Sequence, residues 1–443
     1  MLRRVGEAVD PKDAVVKIRD ASFPAPFASE LEYNSPVHGN WNIVHTGMQV
    51  PEAIQIYVCA DNCMRGVVLT AAEMNAADRF SFVIVEEQHV LNGNLEDITI
   101  EGVTDVLNKR GDRPKAVLLF TVCLHHFVGS NLIYEELERR FPDICFIRCY
   151  MDPIMQKHGL TPDQKLRKAM YDPLPECEPD AKTVSVFGSD FALDESCDIK
   201  RLLRRYGYTV RELPTCETWQ DLLDLSRGRL FLDVYPAGKY GMEAQAGRLG
   251  RKSLYLPGSF DYDEIEQQLK QLTDALGLPE VSREALDVER SACEEVLAKA
   301  KALIKDMPVT LDYLYHPRPL GLAKLLLIHG FHVKAVYLDG ISPEEKAAFD
   351  WLQEHAPELE LIATIQMKMR VLPRGGAEEV LAIGQKAAYF SRSRHFVNLV
   401  QGEGLYGFDG IRRTAELMME AYREEKDTEK LVIQKGWGCE CCL

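Results

Sequence analysis

The sequence has no long hydrophobic run. Its longest apolar stretches, at 116–120 and 325–328, fall far short of the roughly 20 residues that cross a bilayer. The first twenty residues carry charges of both signs and no apolar segment of the kind that a secretory signal contains. These absences predict a cytoplasmic protein that does not span a membrane.

Positive charge is scarce relative to negative charge. The 443 residues include 52 Lys and Arg against 68 Asp and Glu, which gives a formal net charge of −16. Such a chain would repel a polyphosphate backbone, so we expect no nucleic-acid partner. The sequence also contains no G-x-x-x-x-G-K-[ST] loop, so we expect any ATP hydrolysis to take place on a partner protein.

What the chain does contain is an alternation of short apolar runs with amphipathic segments of helical length. That pattern is typical of parallel sheets built from βαβ units, and it predicts an α/β fold with three Rossmann-like domains around a central cleft. The predicted divisions are an α/β domain at 1–178, a second at 179–280, a linking helix at 281–306, a third α/β domain at 307–426 and a cysteine-rich tail at 427–443.

Individual elements follow from the same pattern. Helices are predicted at 198–206, 282–305 and 320–329. The predicted strands are 54–58, 82–85, 116–121, 144–148, 183–187, 209–212, 230–234, 252–256, 333–337, 361–364 and 388–391, and the last three belong to a third unit that begins near Val309.

The chain has twelve cysteines, which in a reducing compartment are more typical of free thiols, metal ligands or redox groups than of disulfides. Cys59 and Cys63 follow one predicted strand, and Cys123 follows another. Because ligands bind at the carboxyl ends of parallel strands, three thiolates can converge there, and thiolates suit an iron–sulfur cluster or zinc. The alternative is that the thiols serve as small buried hydrophobic groups, as we expect for Cys145 and Cys149.

Three stretches of the chain form an ordered series of motifs. Residues 113–131 contain an apolar strand, then a cysteine, four intervening residues and the sequence VGSN. Residues 85–94 read VEEQHVLNGN, and residues 405–411 read LYGFDGI. In order and spacing they resemble motifs of the nitrogenase component 1 family. That family includes the nitrogenase molybdenum–iron protein subunits, their cofactor-assembly scaffold and the dark-operative protochlorophyllide reductase. The resemblance spans about residues 35–425 and implies three α/β domains.

The resemblance implies a metal site. Cys63 and Cys123 match two family cysteines that ligate an iron–sulfur cluster at a subunit interface. The family's first cysteine would fall at 36–39, where the sequence has none, and Cys59 is the nearby thiol that can replace it. The implied cofactor is an iron–sulfur cluster, either 4Fe–4S or a larger variant, bound by these three cysteines.

The ligands of nitrogenase's iron–molybdenum cofactor have no counterpart. The segment 232–235, where the cofactor cysteine would fall, contains no cysteine, and Val397 stands near the position of the cofactor histidine, with His395 close by. We therefore expect no iron–molybdenum cofactor. The resemblance instead implies a catalytic or electron-transfer subunit of a nitrogenase-like reductase, an oxidoreductase acting on an unknown substrate. It would receive electrons from an ATP-dependent iron–sulfur reductase protein and assemble with a homologous subunit or with itself, as a dimer or tetramer.

The predicted strand ends give a second candidate site, a cleft for substrate or cofactor. Lys239, Arg318 and His395 would make that cleft locally positive and favour an anionic ligand, such as a carboxylated tetrapyrrole or a metallocluster. The alternative is that they pair with neighbouring acids such as Asp233 and Asp312. The predicted lining residues are Gly188, Ser189, Tyr235, Lys239, His316, Arg318 and His395.

Two other functions stay open on the sequence. One is a non-enzymatic scaffold or carrier for metallocofactor assembly, and the other is a cluster-free α/β transferase or ligand-binding protein. The Cys439, Cys441 and Cys442 tail is predicted either to bind metal or exchange disulfides, or to be a thiol tail without a structural role.

Overall fold

The computed structural model describes residues 10–28, 43–64, 67–68, 70–71, 75–128, 132–151, 159–376 and 378–428. The segment 36–39 and the tail beyond residue 428, including Cys439, Cys441 and Cys442, lie outside the described residues. None of the described helices combines the length and apolar character needed to cross a membrane.

Short strands alternate with helices along the described chain. The strands are β1 (Val15–Lys17), β2 (Ala53–Cys59), β3 (Phe80–Ile84), β4 (Ala116–Val122), β5 (Cys145–Met151), β6 (Asp180–Phe187), β7 (Thr209–Glu212), β8 (Gly228–Asp233), β9 (Lys252–Tyr255), β10 (Val309–Asp312), β11 (Val333–Tyr337), β12 (Glu360–Ile362), β13 (Leu381–Ile383) and β14 (His395–Val397). The helices are α1 (Ile43–Met48), α2 (Glu87–Leu91), α3 (Leu95–Lys109), α4 (Cys123–Val128), α5 (Ile133–Arg140), α6 (Pro162–Tyr171), α7 (Asp198–Arg205), α8 (Trp219–Leu223), α9 (Lys239–Leu249), α10 (Tyr262–Leu276), α11 (Arg283–Ile304), α12 (Pro319–Ile328), α13 (Lys346–His355), α14 (Gln385–Ser391) and α15 (Gly407–Arg423).

The strands form three sheets. The first has the order β3-β2-β4-β5, the second β7-β6-β8-β9, and the third β1-β12-β11-β10-β13-β14. Every neighbouring pair is parallel except β1 and β12, which are antiparallel. The prediction of an α/β fold built from parallel-strand sheets is therefore confirmed.

Each sheet contains one switch point, meaning a pair of adjacent strands from which the chain connections leave in opposite directions. The strand orders place it between β2 and β4 in the first sheet, β6 and β8 in the second, and β10 and β13 in the third. Open α/β sheets bind ligands beyond the carboxyl ends of such a strand pair.

The described chain divides into two compact units. The amino-terminal unit holds the described parts of 43–192 and 207–256 and contains the first and second sheets, whereas the carboxyl-terminal unit holds those of 10–28, 193–206 and 257–428 and contains the third sheet. The predicted domain boundaries and the central cleft stay predictions. The predicted linking helix is α11, which contacts α15 within the carboxyl-terminal unit, where the Cys293 thiol donates to the Phe408 carbonyl oxygen at 3.2 Å.

Burial on both faces explains why the central strands are almost entirely apolar, with only Gln55 in β2 and Thr121 in β4 as polar residues. All seven residues of β2 and all seven of β4 are buried. Alternate residues enter two separate cores: Tyr57 and Phe120 stack on one face with ring centroids 4.3 Å apart, while Ile56 and Val58 lie on the other. The ends of β2 and β4 are thereby held in fixed register.

The predicted strand at 388–391 is wrong, because these residues form the end of helix α14. Every residue from Gln385 to Phe390 is buried, so the helix has no solvent-exposed face, and the short apolar run that follows Lys386 gives no helical period. Gly384 precedes it with φ 111°, a conformation that favours glycine and lets the chain turn from β13 into the helix. The short strands β13 and β14 on either side were not predicted.

Candidate functional site at the switch points

The first switch point carries the three predicted ligand cysteines. Cys59 is the last residue of β2, and Cys123 is the first residue of α4, directly after β4. The parallel register pairs Val58 with Thr121, so the backbone of Cys59 lies one residue before the level of Cys123 on the adjacent strand. Cys63 follows in the short 3-10 turn Asp61–Cys63. The chain thus brings all three cysteine segments to one sheet edge.

The environments of the three thiols differ. Cys59 is fully buried among apolar side chains, Cys123 is half-buried, and Cys63 is exposed. Burial, with smaller contributions from Cys63 and Asp61, raises the pKa of Cys59 to about 12. In the metal-free chain Cys59 is therefore a neutral thiol, and its ionisation needs a cation to offset the cost of burial.

The three cysteines match an iron–sulfur cluster in the type of donor atom that they offer. Three cysteines at one edge are the donor type that iron–sulfur clusters use. Within the part of the chain that the structure describes, no three or more His, Cys, Asp or Glu side chains are already grouped to hold a metal ion. The donor set is suitable, and a cluster would have to draw the sulfurs together as it binds.

Histidines near this edge take part in hydrogen bonds. The His125 ring is 3% exposed, its Nδ1 accepts from the Val122 backbone N–H at 3.3 Å, and its Nε2 lies 3.1 Å from the Thr99 hydroxyl. A ring nitrogen that accepts from a backbone N–H is deprotonated, so Nε2 carries the proton of the neutral ring. His125 therefore anchors the turn between β4 and α4.

The second switch point holds a buried acid that the sequence analysis did not place in the site. Asp233 ends β8, is fully buried, and accepts the Tyr235 backbone N–H at 2.7 Å. Burial raises its pKa well above the ordinary value, which favours the protonated form of the side chain. Gly188, directly after β6, has φ 93°, and a Cβ there would collide with the Asp233 carboxyl group.

A buried arginine stabilises the same edge. Arg167 on α6 donates to Asp163 at 2.9 Å and to Asp190 at 2.7 Å, and its guanidinium lies 5.2 Å from the centre of the Tyr235 ring. It also donates to the Gly188 carbonyl oxygen. Burial alone would raise the pKa of Asp190, but the Arg167 charge holds it below its ordinary value.

The third switch point repeats the arrangement of the second. Asp312 ends β10, is 1% exposed, and accepts backbone N–H groups of Tyr315 and Ala387 at 2.9 and 2.8 Å. Burial raises its pKa to about 6. Gly384, directly after β13, lies so close that a Cβ would collide with the Asp312 carboxyl group. The second and third sheets thus share a buried aspartate against a glycine of positive φ, whereas the first sheet has cysteines.

Beside this third edge lies a buried lysine. Lys386 is 1% exposed, and its Nζ donates to the Tyr313 hydroxyl at 2.7 Å and to the Thr364 hydroxyl at 2.9 Å. Burial lowers its pKa to about 8. The sequence analysis missed Lys386. It lies on α14, part of which was predicted to be a strand, and nothing in the sequence around it indicates a buried lysine.

The basic residues predicted to line an anionic cleft each have an acidic neighbour. Arg318 is bidentate to Glu264, with N···O distances of 2.6 and 2.8 Å. Lys239 lies 3.7 Å from Glu243, and the His395 Nε2 lies 3.6 Å from Glu379. Each of these three side chains therefore lies near an acid, as in the alternative to a positive cleft given in the sequence analysis. The neighbouring acids are not Asp233 or Asp312.

The other predicted lining residues are distributed over both units. Gly188, Ser189 and Tyr235 lie in the amino-terminal unit, at the second switch point. His316 lies in the carboxyl-terminal unit and accepts the Arg318 backbone N–H at its Nδ1, 3.1 Å away. Burial, with the nearby Arg318 charge, lowers the pKa of His316 to about 3, so the ring is neutral. The common cleft stays a prediction.

Two solved structures resemble this chain over nearly its whole length. A chain of the structure "Nitrogenase Cp1 at pH 6.5" superposes with a TM-score of 0.65, covering 92% of this chain and 96% of that chain at 13% sequence identity. A second, "Nitrogenase Cp1 at pH 5", gives a TM-score of 0.59 with 93% and 94% coverage at 12% identity. The chain has the nitrogenase component 1 fold. No protein-family model matches the sequence, and no curated protein matches it significantly.

Proposed function

We propose that the protein is the catalytic or electron-transfer subunit of a nitrogenase-like reductase and that Cys59, Cys63 and Cys123 hold an iron–sulfur cluster. One observation carries the proposal: in a chain with the component 1 fold, both strands at the first switch point lead directly into cysteine segments. Such a cluster would supply one-electron storage and transfer. The cluster would pass these electrons to a small-molecule substrate.

The chain's own residues set the conditions for binding. Cys63 is exposed and offers the first thiolate to incoming metal, whereas Cys59 must lose a proton that burial retains. Metal binding therefore releases protons, and occupancy should rise with pH. Val58 and Thr121 are paired on adjacent strands, and this pairing fixes the distance between the backbones of Cys59 and Cys123.

A partner subunit is part of the proposal. Five of the nine large hydrophobic side chains that are exposed among the described residues fall between positions 68 and 132, around the first sheet. They are Val68, Phe82, Ile84, Leu91 and Leu132. Exposed apolar surface of this kind marks interaction sites, so a second copy or a homologous subunit is proposed to cover it. Electrons are proposed to arrive from a separate ATP-dependent iron–sulfur protein, since the chain has no phosphate-binding loop of the Walker type.

Metal analysis tests the proposal. We would isolate the protein anaerobically, reconstitute it with iron and sulfide, and measure bound iron and the low-temperature EPR spectrum of the reduced protein. The variant Cys63→Ser/Cys123→Ser should lose most of the iron and the EPR signal. Cys145→Ser is the matched control, because Cys145 is also half-buried but lies at the amino end of β5 in the same sheet.

The outcomes separate the possible functions. A protein that binds no iron after reconstitution, or a double variant that keeps it, would refute the proposed site. If the cluster accepts electrons from an ATP-dependent iron–sulfur protein, the result supports the proposed role as a subunit of a nitrogenase-like reductase. Transfer of the cluster to an acceptor protein without turnover would instead support a role as an assembly scaffold.

A further inference from the structure

A cavity of about 400 Å³ opens on one face of the third sheet, within the carboxyl-terminal unit. Its floor includes Thr310 on β10 and Ala335 on β11, which are paired in register. Thr310 is also paired with Ala382 on β13. Small side chains on both sides of Thr310 leave a recess in the sheet, in a region where parallel sheets are normally covered by large side chains.

The walls of this recess are aromatic and aliphatic. Tyr337 and Phe390 contribute rings that stack at 5.8 Å with 12° between their planes. Ile362, Met369 and Leu372 also line it, and all five belong to or pack against one apolar cluster. A pocket of this volume with mostly apolar walls is typical of small-molecule sites.

The charges around the cavity cancel. Two basic residues and two acidic residues line it, and Lys334 Nζ lies 2.9 Å from Glu378 Oε2. The Arg374 guanidinium lies 4.3 Å from the centre of the Tyr389 ring, and Glu360 is the remaining acid. A rim without net charge favours an uncharged ligand over an anion or a cation.

One polar group at the floor has no partner. Thr310 is 3% exposed, and its Oγ1 forms no hydrogen bond with any described residue. Buried hydroxyl groups are nearly always hydrogen-bonded, so an unpaired one calls for a partner beyond the described residues. The Oγ1 atom itself is closed to solvent, but the Thr310 side chain lines the cavity, and rotation about its Cα–Cβ bond would bring the hydroxyl to a ligand there.

We propose that this cavity binds a planar, uncharged and largely apolar small molecule with one hydrogen-bonding group. The ring system packs against Tyr337 and Phe390, and the polar group lies at Thr310. The site is separate from the cysteine edge, and its occupancy does not depend on a metal cluster.

Fluorescence titration of the full chain with N-phenyl-1-naphthylamine tests the site, because this uncharged aromatic amine brightens in apolar surroundings and carries a single N–H group. Leu372→Trp fills the mouth of the cavity at a half-buried position. Val371→Trp is the matched control, because Val371 is the neighbouring residue, is 49% exposed and does not line the cavity. Thr310→Val removes the hydroxyl at nearly constant volume.

We expect saturable binding of one probe per chain to the unmodified protein and to Val371→Trp, with affinities within twofold. Leu372→Trp should bind at least about tenfold more weakly, and Thr310→Val roughly three- to tenfold more weakly, as expected for one lost hydrogen bond. Circular dichroism and thermal unfolding establish that each variant is folded. No saturable binding by the unmodified protein, or equal affinities for the two tryptophan variants, would overturn the proposal, and unchanged affinity in Thr310→Val would overturn the role of the hydroxyl.

Discussion

At the scale of single residues, burial of ionisable groups is the dominant electrostatic feature of the carboxyl-terminal unit. Glu345 is 1% exposed and accepts the Gly321 backbone N–H at 2.9 Å. Burial raises its pKa to about 8, although the nearby Arg318 charge acts in the opposite direction. Near neutral pH this side chain is mainly a neutral acid that can be replaced by an amide of the same shape.

Glu345→Gln should therefore change how stability depends on pH. A raised native pKa gives stability that is fully present below the unfolded pKa of about 4.5 and is lost as pH rises to about 8. The amide cannot ionise, so the variant should be more stable than the unmodified protein at pH 8 by a few kcal/mol and similar to it at pH 4.5. Urea unfolding across this range measures the difference.

Glu354→Gln is the control for this prediction, because the Glu354 side chain is 79% exposed on the following helix. It should leave the pH dependence of the urea midpoint unchanged. If Glu345→Gln gives the same slope as this control, the raised pKa is wrong.

At the scale of elements, the turns at the second and third switch points are built alike. In each, an aspartate at the end of one strand lies against a positive-φ glycine at the end of the other: Asp233 with Gly188, and Asp312 with Gly384. Both aspartates accept backbone N–H groups from the turn that follows them. The aspartate and the glycine are in such close contact that no side chain fits between the two strand ends. The first sheet lacks this pair and has cysteines at the corresponding strand ends.

Gly384→Ala should consequently be far more damaging than another glycine of positive φ. Its Cβ would collide with the Asp312 carboxyl group, in addition to the strain of φ 111°. We expect a loss of at least about 3 kcal/mol of unfolding free energy, because the buried Asp312 carboxyl group is held by two backbone N–H groups and cannot move aside without losing them. Gly277→Ala, at the end of α10 with φ 66° and open space around it, should cost only about 1 kcal/mol. Equal costs in chemical denaturation would contradict the close approach.

The sequence predicted strands correctly where their hydrophobic pattern was distinct from that of a helix. The strands 209–212 and 333–337 are found at their predicted bounds, and Cys59 and Cys123 lie at strand ends as predicted. The patterns failed at α14, which is buried on all sides and therefore shows no alternation of polar and apolar faces. Arg167 was missed for a different reason: an arginine on an amphipathic helix looks like a surface residue, and its partner Asp190 lies 23 residues further along the chain.

At the scale of the whole molecule, the exposed apolar side chains around the first sheet predict an oligomer. We expect light scattering at micromolar concentration to give a multiple of the 50.1 kDa chain mass. Phe82→Glu/Ile84→Glu, on the edge strand β3, should shift the protein toward the monomer, since a charge at a covered apolar contact is costly. Val288→Glu is the control, because Val288 is 67% exposed on α11 in the other unit. A monomer with its cluster bound would contradict the prediction.

Cysteine alkylation mapped by mass spectrometry tests the proposal that Cys59, Cys63 and Cys123 together hold an iron–sulfur cluster. The anaerobic protein would be treated with iodoacetamide before and after reconstitution with iron and sulfide, and the labelled cysteines identified. We expect Cys63 and Cys123 to react readily without iron and to be protected once iron is bound. Cys59 should be protected in both states and should become reactive only on unfolding in the absence of iron, whereas the labelling of Cys145 and Cys216 should not change. The proposed site would be refuted by iron-loaded protein in which Cys63 and Cys123 stay fully reactive and protection is found instead at Cys439, Cys441 and Cys442.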